Sequence, residues 1–135
     1  MKNLKKFLVL FSICVFILAV GQGQGVPKKN PETITITILV SDGKVICDPD
    51  PACARLDDTV IWKSDYVFTV DFSKKTPFKE KQFRAKKEEA KQGKCGTVIT
   101  KEAKEKDKEV KFKYLVAVLY QGEILTVDPD LVIRP

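Results

Sequence analysis

The side chains that could carry chemistry in this chain are mainly its cysteines, because histidine is absent. The 135 residues include four cysteines, no histidine and a single methionine, which is the first residue. Without histidine there is no imidazole general base, no Ser-His-Asp triad and no histidine-based zinc site. A hydrolase would have to rely on lysine and glutamate alone for proton transfer, so the sequence predicts a protein that is not an enzyme.

Three cysteines, Cys47, Cys53 and Cys95, lie outside the apolar N-terminal run that holds Cys14. Cys47 and Cys53 are separated by a proline turn, which could bring their Cα atoms within bridging distance. Because an oxidising compartment favours disulfides, we expect a Cys47–Cys53 bridge. Two alternatives stay open: Cys95 pairs with either of the other two, or all three remain reduced.

A free Cys95 would have a different meaning from a bridged one. Gly93, Lys94 and Gly96 surround it and would leave the sulfur exposed, and a neighbouring lysine favours the reactive thiolate. On this alternative the protein is a thiol-based redox or metal-handling protein that works through Cys95.

Six aspartates, four of them next to prolines, are the remaining group that could bind a metal ion. Calcium requires six to eight oxygen ligands, and the spacing of these aspartates matches no EF-hand loop. Asp-Pro pairs are ordinary turn formers, so we predict no metal and no cofactor. The residues concerned are Asp48, Asp50, Asp57, Asp58, Asp128 and Asp130.

The N-terminus has the three-part pattern of a secretory signal peptide. A basic start is followed by an uncharged apolar run at residues 7–20 and then by small and polar residues. The run has about 14 residues, fewer than the roughly 20 that span a bilayer as a helix. We therefore predict a signal peptide at 1–21, a flexible tether at 22–32 and one domain at 33–135, with no membrane span after cleavage. The alternative is that the segment is kept as an anchor.

Strict alternation of apolar and polar side chains predicts that this domain is built from strands. It is clearest at residues 33–40, 59–64, 68–72 and 110–118, and turn residues such as Asp42-Gly43 punctuate the chain. We expect an all-β fold, an antiparallel Greek-key sandwich of seven or eight strands. Residues 80–92 are rich in helix formers and predict one short Lys/Glu-rich helix or loop.

Charge is unevenly distributed along the predicted domain. Residues 79–113 hold 13 Lys or Arg and seven Asp or Glu, while the net charge of the chain without residues 1–21 is only +3. So mild an overall charge, in an exported protein, argues against nucleic-acid binding. The expected partner is an unidentified envelope protein or an anionic polymer, and the sequence leaves the oligomeric state open.

The order of these elements resembles the cupredoxin family, the fold of plastocyanin and azurin. The resemblance lies in Val60-Ile61-Trp62 after a turn, Phe68-Thr69-Val70-Asp71-Phe72, Thr76-Pro77-Phe78 and Lys113-Tyr114-Leu115-Val116. It covers residues 33–135 apart from the Lys/Glu-rich insertion.

The resemblance implies a copper site that this chain cannot form. Cupredoxins hold copper with two histidines, a cysteine and a weak axial methionine. Phe68 stands where the first histidine would lie and Val116 where the cysteine would lie. We therefore expect a metal-free cupredoxin-like binding or interaction module of the cell envelope. A further alternative is an Ig-like adhesion domain with a Lys-rich, anion-binding loop.

Overall fold

A computed structural model describes residues 29–99 and 108–135 of the chain. Within these ranges the protein has eleven strands in three sheets and one short helix. The predicted signal peptide, most of the predicted tether and the charged segment at 100–107 lie outside the described residues. In the two described ranges no helix is long and apolar enough to cross a membrane.

In chain order the elements are β1 (Thr33–Ser41), β2 (Lys44–Asp48), β3 (Ala52–Arg55), β4 (Thr59–Ser64), β5 (Phe68–Asp71), β6 (Gln82–Ala85), α1 (Lys87–Ala90), β7 (Lys94–Thr97), β8 (Val110–Lys113), β9 (Leu115–Tyr120), β10 (Glu123–Val127) and β11 (Asp130–Arg134). The first sheet has the order β2-β1-β4-β7, the second β10-β9-β5-β6 and the third β3-β11-β8. The first two sheets form the body of a sandwich-like fold.

The first sheet follows directly from the sequence pattern of β1. Ile36 and Ile38 are buried, while the neighbouring threonines are exposed or only half-buried, as the alternation predicts. Asp42 and Gly43 take left-handed conformations with φ of 49° and 69°, which lets β1 turn back tightly onto β2. On its other side β1 pairs in parallel with β4, which places Ile36 level with Trp62.

The two sheets of the sandwich meet at both of their lateral edges. Strands β2 and β10 end their respective sheets and lie against each other on one side. Strands β6 and β7 do the same on the opposite side, where α1 packs against β6. This arrangement gives the molecule two distinct lateral edges.

The core is organised around Trp62, the only tryptophan, which has no exposed surface. Its ring centroid lies 5.0 Å from that of Phe83, 5.4 Å from Phe78, 6.0 Å from Tyr114 and 6.1 Å from Phe72. Such spacing is typical of favourable aromatic pairs. The prediction of strands at 59–64 and 68–72 is confirmed by β4 and β5, which place Trp62, Phe68 and Val70 in the core.

The fold differs from the prediction in three respects. Eleven strands replace the expected seven or eight, because several of them have only four residues. Among the described strands two pairings are parallel, β1 with β4 and β3 with β11, although we expected an antiparallel arrangement. The expected helix is reduced to α1, because Phe83 and Ala85 of the same segment are buried on β6. The Greek-key connection stays a prediction.

Candidate functional site

The positions at which the cupredoxin resemblance implies metal ligands are filled with hydrocarbon. Phe68 on β5 is 1% exposed and Val116 on β9 is fully buried. These strands are neighbours, with Phe68 directly opposite Val118 and Val116 directly opposite Val70. Val118 is therefore a closer neighbour of Phe68 than Val116 is. None of these side chains has an atom that could donate to copper.

The three cysteines in the described residues are all free, and the predicted Cys47–Cys53 disulfide is not formed. Cys47 lies on β2 in the first sheet, where its side chain faces the core. Cys53 lies on β3 in the third sheet, between the buried residues Ala52 and Ala54. Since successive side chains of a strand point to opposite faces, the Cys53 thiol points away from the core that holds Cys47.

Burial makes Cys47 chemically inert. It raises the pKa of the thiol from 9.0 to about 12, and the carboxylate of Asp50 adds to the shift. Burial also raises the pKa of the Tyr114 hydroxyl well above its usual value, although the indole of Trp62 opposes that shift. Because the thiolate is the reactive form of cysteine, Cys47 is unsuited to nucleophilic or redox chemistry.

Cys95 is the exposed thiol of the described chain, on the edge strand β7 and level with Ile61 of β4. The adjacent lysine is already engaged, because Lys94 Nζ lies 3.1 Å from a carboxylate oxygen of Glu89. Lys94 and Cys95 also point to opposite faces of β7. The sequence-based expectation that Lys94 activates Cys95 therefore has no support in this geometry.

A shallow depression of about 160 Å³ lies beside Cys53, where the predicted tether enters the domain. Two of its lining cations are in ion pairs: Lys29 Nζ lies 2.7 Å from Glu32, which also lines the depression, and Arg134 Nε lies 2.8 Å from Glu109, which lies outside it. The same lysine holds the pKa of the Glu32 carboxyl below its usual value. Among the lining cations of the described chain, Arg55 alone has no salt bridge, and one exposed cation does not by itself define a ligand site.

Asp58 lines this depression, and the sequence marked it only as one of six aspartates that could bind calcium. It is 6% exposed, and its carboxylate accepts hydrogen bonds of 2.8 Å from the backbone N–H groups of Glu32 and Arg55. Thr59 N–H in turn donates to the carbonyl of Glu32. Asp58 thus fixes the chain at its entry into β1. No local sequence motif signals this contact, because Glu32 is 26 residues away from Asp58 in the chain.

The edge formed by β6 and β7 carries a dense positive charge, and we call it the basic edge. It consists of the loop before β6, β6 itself, α1 and β7. Between residues 72 and 94 it holds nine cationic and three acidic side chains, a net charge of +6. All the cationic residues except Lys94 are exposed. They are Lys74, Lys75, Lys79, Lys81, Arg84, Lys86, Lys87, Lys91 and Lys94.

The edge formed by β2 and β10 has the opposite character, and we call it the acidic edge. Within residues 42–50 and 123–128, five exposed carboxylates and one lysine give a net charge of −4, and Lys113 of β8 reaches one end of this edge, with its Nζ 3.3 Å from the carbonyl oxygen of Asp128. The carboxylates are those of Asp42, Asp48, Asp50, Glu123 and Asp128, and the lysine is Lys44.

Two exposed apolar pairs accompany the acidic edge. Leu39 of β1 lies opposite Ile46 of β2, and Leu119 of β9 lies opposite Ile124 of β10. The first three are 45%, 45% and 48% exposed, and Ile124 is 72% exposed. Large aliphatic side chains on the outer face of a sheet near its edge are unusual unless another surface covers them.

No protein-family model matches the chain, and no curated protein is significantly similar to it. Among the described residues no three metal-binding side chains come together in one group. The features that distinguish this molecule are therefore its two oppositely charged edges.

Proposed function

We propose that this chain is an exported, metal-free, cupredoxin-like β-sandwich that serves as a binding module of the cell envelope. Its basic edge is the surface that contacts an anionic partner. The observation that carries the proposal is the concentration of nine cationic side chains against three acidic ones on one edge of the sandwich. Clustered positive charge attracts polyanions over distances comparable to the Debye length, about 10 Å at 0.1 M salt.

Binding to dextran sulfate, a simple anionic polymer, tests the basic edge. The variant Lys87→Glu/Lys91→Glu reverses two exposed charges of this edge. A matched control, Arg55→Glu/Lys108→Glu, changes the net charge equally at exposed positions outside both charged edges. Since a lysine near an anionic surface contributes about 1 kcal/mol, the first variant should lose at least about tenfold in affinity. Equal losses in the two variants would contradict the proposal, because net charge alone would then explain binding.

The metal-free part of the proposal depends on the side chains at the implied copper position. Phe68 and Val116 cannot replace an imidazole and a thiolate. Titration with Cu²⁺ should therefore produce no intense blue absorption band from a thiolate–copper bond. A band that saturates at one copper per chain would refute this part of the proposal.

Export is a separate element of the proposal and rests on the pattern of residues 1–21. Expression in a bacterial host should deliver a chain whose N-terminus starts close to residue 22. N-terminal sequencing of the exported protein checks this. Retention of residues 1–21 on a membrane-bound product would instead indicate an anchor.

The alternative function as a thiol-based redox or metal-handling protein rests on Cys95, which is exposed, because Cys47 is buried in the core. Thiol-disulfide exchange with a small disulfide such as oxidised glutathione is its direct test. The redox alternative requires that the natural chain exchange faster than an unfolded cysteine peptide. It also requires that Cys95→Ser abolish this faster exchange. If the natural chain reacts no faster than such a peptide, the redox function fails.

A further inference from the structure

The two lateral edges of this sandwich are complementary in charge. The basic edge has a net charge of +6, and the acidic edge has a net charge of −4. Because β6 and β7 end their sheets on the side opposite to β2 and β10, the two charged surfaces cannot meet within one molecule. They can meet only between two molecules.

The acidic edge also has the composition of a protein contact. Stable interfaces combine an apolar centre with a polar rim. Here the exposed pairs Leu39–Ile46 and Leu119–Ile124, on the outer faces of the two different sheets, supply apolar area on either side of the edge, and the five carboxylates supply its polar part. A polyanion would be repelled from this surface, so its partner has to be a positively charged protein surface.

Charge also determines which edges can combine. Two basic edges repel each other, and so do two acidic edges, so a symmetric dimer through either edge is disfavoured. A contact between unlike edges is heterologous, and it leaves one free edge at each end of the assembly. Repetition of this contact produces an open chain of molecules.

We propose that the acidic edge of a second copy of this chain is a partner of the basic edge, so that copies associate head to tail. This proposal rests on the proposed function, because it names a partner for the same basic surface. Ile124 and the neighbouring carboxylates of one copy lie against the cationic residues around α1 of the next. The exported protein forms short, salt-sensitive oligomers.

Sedimentation velocity over a range of protein concentrations is the first test, performed on the chain as the expressing cell delivers it. At about 0.02 M salt the mean mass should rise with concentration. At about 0.5 M salt, where screening shortens the range of charge interactions to a few ångströms, it should return to that of a monomer. Association that strengthens with added salt would overturn the proposal, because it would indicate a contact between apolar surfaces alone.

Edge-specific variants are the second test. Glu123→Lys/Asp128→Lys brings the net charge of the acidic edge to zero, and Lys87→Glu/Lys91→Glu reduces that of the basic edge to +2. Each variant alone should remain a monomer at low salt. An equimolar mixture should form a dimer and nothing larger, because one intact edge of each kind is present. A mixture that stays monomeric, or either variant that still forms oligomers alone, would overturn the head-to-tail contact.

Polymer binding separates the two proposals. The acidic-edge variant should bind dextran sulfate at least as tightly as the natural chain, while the basic-edge variant should bind it at least about tenfold more weakly. If the acidic-edge variant still forms oligomers but the basic-edge variant loses polymer binding, only the head-to-tail contact is wrong. If neither variant affects polymer binding, the proposed function itself fails.

Ile124→Thr, which changes no charge, should weaken oligomers and leave polymer binding unchanged.

Discussion

Asp58 is the residue that joins the start of the domain to its body. Its carboxylate is buried and accepts two backbone hydrogen bonds of 2.8 Å, from Glu32 and Arg55. Hydrogen bonds to a charged group contribute about 1.5–3 kcal/mol, and buried donors without a partner are costly. Asp58→Ala should therefore lower the free energy of unfolding by about 2 kcal/mol or more, measured by urea denaturation.

Asp65→Ala is a suitable control for this change, because Asp65 is an exposed aspartate with no salt bridge in the described chain. It should change the free energy of unfolding by less than about 0.5 kcal/mol. Equal effects of the two substitutions would show that the contact of Asp58 with Glu32 and Arg55 contributes nothing specific.

Cys47 makes the stability of the fold sensitive to alkaline pH. Its pKa rises from 9.0 to about 12 because the thiol is buried, so above pH 9 the unfolded chain releases a proton that the folded chain retains. The contribution of this thiol to stability is complete below pH 9 and is lost as the pH rises towards 12. The free energy of unfolding should therefore fall between pH 8.5 and pH 10.5.

Cys47→Ala isolates this effect from the titration of other groups. The variant should be less stable at pH 7, since it loses buried volume, but its stability should decline less steeply with pH. Cys95→Ala should retain the full decline, because Cys95 is exposed. Parallel pH profiles for the natural chain and Cys47→Ala would disprove the assignment.

At the scale of the elements, Gly96 determines how closely β7 approaches the aromatic cluster. A Cβ atom at this position would lie 2.8 Å from Cδ1 of Phe78 and 2.9 Å from Cζ of Phe83. Both rings are buried, so neither can move away without disturbing its neighbours. Gly96→Ala should lower the free energy of unfolding by about 1–3 kcal/mol, the usual range for overpacking.

Gly122→Asn provides the comparison, because the space around Gly122 is open and asparagine tolerates its φ of 81°. This variant should be nearly as stable as the natural chain in the same urea titration. An unchanged stability for Gly96→Ala would mean that β7 does not pack against Phe78 and Phe83.

The strands that the sequence predicts most clearly are those with one buried and one open face. In β1, β4 and β5 burial alternates at every residue, although Leu39 and Ile61 are apolar side chains on the less buried face and Ser64 is a polar one on the core face. The parallel pairing of β1 with β4 could not be predicted, because alternation specifies which face is buried but not which strand lies alongside. The length of the helix was overestimated, because residues 82–85 contain helix formers but also alternate with a period of two. Pairing with β5 makes this segment a strand, and the sequence does not show that pairing.

For the whole molecule, the sequence reveals an excess of positive charge in residues 79–113 but not where it accumulates. The basic edge comes from the contiguous segment 72–94, whereas the acidic edge arises because the fold brings together β2 and β10, which are far apart in the chain. The acidic edge collects residues from 42–50 and from 123–128. Such a surface depends on contacts over long sequence distances, so no local motif predicts it. The absence of the histidines that a cupredoxin copper site requires, by contrast, follows from composition alone.

Trp62 fluorescence shows whether the whole molecule unfolds cooperatively, because the neighbours of Trp62 come from several parts of the chain. Phe83 belongs to β6 of the second sheet, Phe78 to the loop before it, and Tyr114 to the junction between β8 and β9. If these parts form one cooperative unit, loss of the aromatic cluster and loss of the sheets occur together. Tryptophan fluorescence and far-UV circular dichroism should therefore show the same urea midpoint.

Phe83→Leu sharpens this test, because it reduces packing against Trp62 while keeping an apolar side chain. Both midpoints should move to lower urea by the same amount, since a two-state molecule loses stability as a whole. A fluorescence transition that precedes the loss of circular dichroism would show that the cluster opens while the sheets persist. The two charged edges would then belong to parts of the chain that unfold separately.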